Sequence, residues 1–551
     1  MRNLRNLLLP LAASPLSSLA APLLAASLLP GPLLVTVLLI ASLQTTLQTT
    51  LQTTSSFFAT QACTCQPPSP SAPNSTQPAQ ASPSQTSSHP TTRQPRARFD
   101  AIHSHTWIDT LPTPGLNDYH LLSSPSRAAS TLRSLGWQID LQLTPWSRES
   151  LTDVDLIVLN LVSADLPPFL VSEIESIEAF LREGGGMIVI TDHTNCYFHH
   201  HVLGALFAKL DISLANETAC ERVPMKLASG NGWIRIESFS DHPIVEGIRT
   251  LGIQTGGITD SRFGIAWTSP QGWGDLGRVP KYGEGQDVGF FGDFQQQPHE
   301  RVGPLPVLSA KSIDKGRIVL IADQNSIGNM FIGYADNRLM WIQAAYWASS
   351  KKRPQADEIQ SGFAPDPDRT LIWCFEPISQ HKSYWGSTDA DRNYHAFGLL
   401  SKHADPRATD QAIPDAAWMI VPDPSIFDDP AYLKTIQGFL SDPKHQMLVL
   451  QPNPLATPNT PPNSLDWLQY FEIDQNDQVV EVKEIRSWKT KSGSKIHVLP
   501  KSDWENRAIA TPYKIRSDEE ETRDLQRMEF LWKHGMSRIG SLDAQFNIPK
   551  D

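Results

Sequence analysis

At 551 residues the chain is too long for one hydrophobic core and implies two domains with appendages. A formal charge of −12, with no basic run longer than Lys351-Lys-Arg353, excludes a nucleic-acid partner, which would need a stripe of cations to meet phosphates. Apolar residues make up only 40% of the chain, and the deficit is concentrated in one segment near the N-terminus.

Arg2 and Arg5 precede an acid-free segment, 7–43, dense in Leu, Ala and Val. Basic residues at its start hold that end in the cytoplasm, so the rest of the chain is expected outside. Pro10, Pro15, Pro22, Pro30 and Pro32 argue against one straight helix. Residues 22–43 give the cleanest span, about the ~20 residues a bilayer needs. Residues 1–45 are therefore read as a signal peptide or transmembrane anchor. The lack of a small-x-small cleavage site after the last apolar run favours the anchor. Retained, it places the bulk of the chain outside the cell membrane; cleaved, it leaves a secreted or periplasmic protein. A protein partner in the cell envelope fits either case. Residues 46–98 form a linker: Leu-Gln-Thr-Thr repeats from Leu43 to Thr54, and 67–95 is rich in Pro, Ser, Thr and Gln. Such a composition cannot bury enough apolar surface to order itself and reads as a disordered stalk.

A first strand is predicted at 99–102, running into His103-Ser-His105. Residues 124–135 suit a helix capped by Ser124, with Pro125 at its first position and Gly136 closing it. A second strand follows at 137–143. The stretch 151–195 is the most informative in the chain. Its two apolar runs, 156–159 and 187–190, are short, β-branched and bounded by polar residues, as buried parallel strands are. Between them Ile174, Ile177, Phe180 and Leu181 fall on one helical face, with Ser172 as cap, Glu175 as its capping-box partner and Gly184 as the stop. Gly184-Gly-Gly186 precedes a strand, so it is no phosphate cradle. The unit is βαβ, with a right-handed crossover. Further on, a helix is expected at 197–210, a strand at 233–237, Gly-rich hairpins across 254–294, a strand at 317–322 and a closing helix at 337–348.

After a linker at 351–369 the pattern starts again. Strands at 371–374, 417–421 and 447–450 surround a helix at 432–440, whose Leu433, Ile436, Phe439 and Leu440 repeat the earlier spacing. Residues 370–500 are read as a degenerate, smaller second α/β copy ending in a hairpin at 479–498. A tail, 501–551, carries a charged helix at 518–534.

The first domain, 99–350, resembles the class I glutamine amidotransferase-like superfamily. In that family the strand matching 187–190 runs into an elbow bearing a catalytic cysteine, and a late strand ends in a His-x-Glu pair that activates it. Here the elbow reads Ile190-Thr-Asp192-His193, Cys196 falls beyond the turn, and Gly316-Arg-Ile-Val-Leu-Ile-Ala-Asp323-Gln-Asn325 carries neither His nor Glu. The resemblance implies a doubly wound, mostly parallel, flavodoxin-like α/β sheet and speaks against amidotransfer. Asp241-His-Pro-Ile-Val-Glu-Gly-Ile248 and Phe331-Ile-Gly-Tyr-Ala-Asp-Asn-Arg338 are similar to its non-amidotransferase branches, the gliding-motility or ABC-transporter-auxiliary-like and trehalose-utilisation-like domains.

Ligands of open α/β sheets gather outside the carboxyl ends of the strands. Those ends carry Asn160, Asp192, His193, Asn195, Asp323 and Asn325, the expected ligand-binding set. The resemblance makes the first and fourth strands central neighbours, which would bring His103 or His105 beside Asp192 and His193 as a divalent-metal site. Set against that, Asp and His at strand ends commonly cap loops, and these residues are scattered rather than spaced as a metal motif. His199-His200-His201 is read as helix surface. Cys196 and Cys220 could pair as a disulfide or stay as two thiols. Two functions follow: a non-catalytic extracytoplasmic binding or scaffold module, or a metal-assisted hydrolase using Asp192 and His193.

Overall fold

The structure, a computed structural model, describes residues 93–104, 124–164, 166–278, 291–353, 369–387, 393–451, 465–474, 480–482 and 485–500. The N-terminal apolar segment, residues 46–92 of the expected linker, His105 and the expected helix at 518–534 lie outside them, while residues 96–98 of that linker belong to the first strand. Among the described residues no helix is long and apolar enough to cross a membrane.

The fold is α/β, built on two mixed, mostly parallel sheets. The first half contains β1 (Arg96–Asp100), α1 (Ser126–Ser134), β2 (Gln138–Gln142), β3 (Leu156–Asn160), α2 (Val171–Glu183), β4 (Gly186–Ile190), α3 (His199–Leu210), β5 (Glu217–Cys220), β6 (Trp233–Ile236), β7 (Ser238–Phe239), β8 (Leu251–Gln254), β9 (Gly264–Trp267), β10 (Trp273–Leu276), β11 (Pro306–Ile313), β12 (Gly316–Ile321) and α4 (Asn337–Ala348). Its main sheet runs β2-β1-β3-β4-β12-β11-β9-β7. Neighbours from β2 to β12 are parallel, and those beyond β12 are antiparallel. Every residue of β3 and β4 is buried, which is why both read as unbroken apolar runs.

The second half contains β13 (Thr370–Phe375), α5 (Tyr394–His403), β14 (Ala404–Thr409), β15 (Trp418–Val421), α6 (Pro430–Phe439), β16 (Gln446–Gln451), β17 (Val480–Val482), β18 (Ile485–Lys489) and β19 (Lys495–Pro500). Its order, β14-β13-β15-β16-β19-β18-β17, repeats the first sheet strand for strand from β2 to β9. The second α/β copy is therefore a copy in topology as well as in spacing.

Three expectations are corrected here. Helix α2 starts at Val171, so Ser172 lies inside its first turn, and Glu173, not Glu175, reaches back to accept the Leu170 N–H at 2.7 Å. Strand β19 does form a hairpin with β18, but its other edge pairs in parallel with β16. The first and fourth strands are not neighbours, because β3 lies between β1 and β4.

Candidate functional site

Strands β4 and β12 run side by side in parallel with Ile190 opposite Ile321. Continued two residues past the last pair, that register sets Asp192 opposite Asp323. Both carboxyls are buried at the carboxyl edge of the sheet. The Gly256-Gly257 turn lies tight against them: a Cβ on Gly257 would meet the Asp192 carbonyl oxygen, and one on Gly256 would meet the Asp323 Cβ. Asp323 accepts the Gln254 N–H and the Asn325 N–H, each at 2.8 Å, and Asp192 accepts the His193 N–H at 2.7 Å. These donors fall short of replacing lost hydration. Burial, and then the charge of Asp323, holds the Asp192 carboxyl well above the usual carboxylate range. Burial raises Asp323 as well. Two carboxyls so placed cannot both ionise cheaply without a cation, so at least one keeps its proton.

His193 follows directly. Its ring stacks on Phe291 with centroids 3.8 Å apart, and its Nδ1 lies 3.1 Å from the Thr194 hydroxyl. Burial, with His199 nearby, drops its pKa to about 3, so the ring is neutral and keeps a lone pair. The backbone then coils: Thr194, Tyr197 and Phe198 have φ of 46°, 51° and 56°, left-handed values that side-chain-bearing residues seldom adopt. The coil returns the Cys196 N–H to the His193 carbonyl at 3.2 Å. As a result one ligand atom each from Asp192, His193 and Cys196 lies within 4.8 Å of the others, all three residues buried. The sequence alone sets Cys196 aside as lying beyond the elbow; no local signal announces this return.

The remaining expected residues divide. Asn325 stays with the carboxyl pair through its bond to Asp323. Asn160 ends β3 opposite Ile190, buried one strand away from Asp192. Asn195 is occupied at the start of α3, where it accepts the His200 N–H and bonds the His201 ring, both at 2.9 Å. Its role is a cap. His103 does not join Asp192: its ring sits between the Pro167 carbonyl at 2.7 Å and Glu173 at 3.2 Å, with both nitrogens engaged. Asp100 directs it there by accepting the His103 and Ser104 N–H groups. Cys196 and Cys220 are buried and not joined as a disulfide. Of the His199–His201 tract only His201 is exposed, while His199 is fully buried. Its Nδ1 faces the Cys196 carbonyl at 2.8 Å, and burial lowers its pKa to about 4.

No family model matches the chain, and no curated protein does. Among solved structures it is similar to the mmIFT52 N-terminal domain, at 12% identity and a TM-score of 0.34 over 47% of this chain and 100% of that one. A putative ThuA-like protein from Bacteroides uniformis ATCC 8492 matches at 14% identity and a TM-score of 0.30, over 48% of this chain and 95% of that one. Another from Parabacteroides merdae ATCC 43184 matches at 10% and 0.28, over 48% and 93%. These likenesses assign no function to the chain.

Proposed function

We propose that the chain is a membrane-tethered, extracytoplasmic binding module, from a non-amidotransferase branch of the amidotransferase-like superfamily, that takes a ligand at the carboxyl edge of β4 and β12. One observation carries the reading. The strand ends that bear a nucleophilic cysteine and its His-x-Glu activator in amidotransferases bear Asp192 and Asp323 here, buried side by side. Paired acids sharing a proton can donate to a polar ligand, accept from it, or hold a cation, but they supply no thiolate for nitrogen transfer. The tether rests on Arg2 and Arg5 ahead of the apolar run.

Purified full-length protein is expected to hydrolyse glutamine no faster than buffer, with Cys196→Ala no different. A reporter fused after Thr92 should be active outside the cytoplasm and stay with membranes through a salt wash. Glutaminase activity that disappears in Cys196→Ala, or full-length chain in the soluble cytoplasm, would contradict the proposal. Metal-assisted hydrolysis is a second reading, favoured by the closeness of Asp192, His193 and Cys196. In it Asp323 would serve as base toward a bound water.

A further inference from the structure

We infer that Asp192, His193 and Cys196 form a zinc-class divalent-cation site, with His199 outside that trio as the residue that holds its segment through the Cys196 carbonyl. The inference rests on the binding reading above and names its ligand. One carboxylate oxygen, one imidazole nitrogen and one thiol sulfur already lie within 4.8 Å of one another. Ligands on a tetrahedral zinc, at about 2.0–2.3 Å from the ion, sit roughly 3.3–3.8 Å apart. Closing the three onto an ion is therefore a matter of side-chain adjustment, not of moving strands. The donor types select the metal: a thiolate with an imidazole suits zinc and disfavours magnesium or calcium, which want oxygen shells.

A second observation concerns the neighbouring His199, whose ring nitrogens lie outside that 4.8 Å trio. A backbone carbonyl can only accept, so the His199 Nδ1 facing the Cys196 carbonyl must be the N–H. In the neutral ring that leaves Nε2 as the lone-pair nitrogen. It is fully buried and has no hydrogen-bond partner. A buried acceptor left unmatched costs stability, and native proteins seldom tolerate one without a role. A ring fixed by an N–H to a backbone carbonyl, with its other nitrogen bare, is how metal-binding histidines are held. The bond to the Cys196 carbonyl ties His199 to the segment that carries the thiol. Binding would exchange protons for the ion: the thiol gives up its hydrogen to solvent as sulfur coordinates, and Asp192 is held ionised.

The test uses full-length protein stripped with a chelator, then titrated with zinc chloride, reading bound zinc per chain and the thermal midpoint. Wild type is expected to hold one zinc and to melt higher with it. Cys196→Ser and Asp192→Asn should each weaken zinc by at least about 100-fold, because outer partners alone cost 10–100-fold. His199→Gln should weaken it measurably. Cys220→Ser, a buried thiol outside the set, should bind as wild type does. Melting in chelator checks that each variant folds; if Cys196→Ser does not, Cys196→Ala and His193→Gln take its place. Wild type that retains no zinc, or zinc held equally well without Cys196 and Asp192, would overturn the site. Those results leave the binding reading standing, whereas a Cys196-dependent glutaminase overturns that reading whatever zinc does.

Discussion

Asp275 shows what a single buried acid does to this molecule. It lies on β10 with Oδ1 accepting the Asp293 and Phe294 N–H groups at 3.2 and 3.1 Å, while Oδ2 is buried without a partner. Burial first, and Glu300 second, push its pKa up to about 7. An unfolded aspartate titrates near ~3.9. The native state therefore keeps a proton that the unfolded chain releases, and this contribution to stability, full below about pH 4, is lost as pH rises through 7. Asp275→Asn keeps the Oδ1 acceptor and cannot ionise. Denaturant unfolding at pH 5 and pH 8 should show wild type losing more stability than the variant, by something on the order of 2 kcal/mol. Equal losses in the two would contradict this. Asp275 gave no signal in the sequence: among the described residues the hairpins expected across 254–294 do not form, β10 pairs instead with the distant β5, and nothing local says that its acid faces inward. Asp192, His193 and Asp323 were legible, since polar residues at the ends of apolar β-branched runs mark a carboxyl edge. Cys196 and His103 were not. The first depends on left-handed backbone at Thr194, Tyr197 and Phe198, the second on the buried Glu173, which binds its ring and the Trp146 N–H.

The elements were read more reliably than the residues, because each is fixed by its own periodicity. Strands β3, β4 and β12 and helix α4 lie where the apolar patterns place them, and Gly184 closes α2 with φ of 119°. Caps and pairings were harder. A cap turns on one hydrogen bond, as Glu173 displaces Glu175, and the pairing of β19 with β16 joins segments about 50 residues apart with no local cue. Close approach between elements is likewise written only in the fold. Gly316 opens β12 where an added Cβ would overlap the Leu181 and Gly185 carbonyl oxygens, whereas Gly204 on α3 has open space around it. Gly316→Ala should cost about 1–3 kcal/mol as α2 is pushed off the sheet edge. Gly204→Ala should be stabilising by up to about 1 kcal/mol. Thermal midpoints of the two variants check both; a neutral Gly316→Ala would mean that α2 can shift freely.

At the scale of the whole molecule, two sheets of matching strand order are locked together by buried polar residues. Arg127 and Arg338 of the first half, and Arg407 of the second, converge on buried Asp405. Tyr334 donates to Glu376 at 3.0 Å, and Tyr394 to Gln254 at 2.9 Å. Gln254 in turn donates its backbone N–H to Asp323, so the second half reaches the edge where the ligand site is proposed. Repetition of the α/β unit was visible in the spacing of Leu433, Ile436, Phe439 and Leu440; its docking was not, because charges buried at an interface look like any solvated charge until the partner surface is known.

The cation site proposed at the β4–β12 edge joins Asp192, His193 and Cys196. X-ray absorption at the zinc edge, on full-length protein loaded with one equivalent, tests it most directly. The expected first shell contains one sulfur at about 2.3 Å with nitrogen and oxygen at about 2.0–2.2 Å, and the sulfur disappears in Cys196→Ala. A shell of nitrogen and oxygen alone in wild type, or a spectrum unchanged by that substitution, would contradict it.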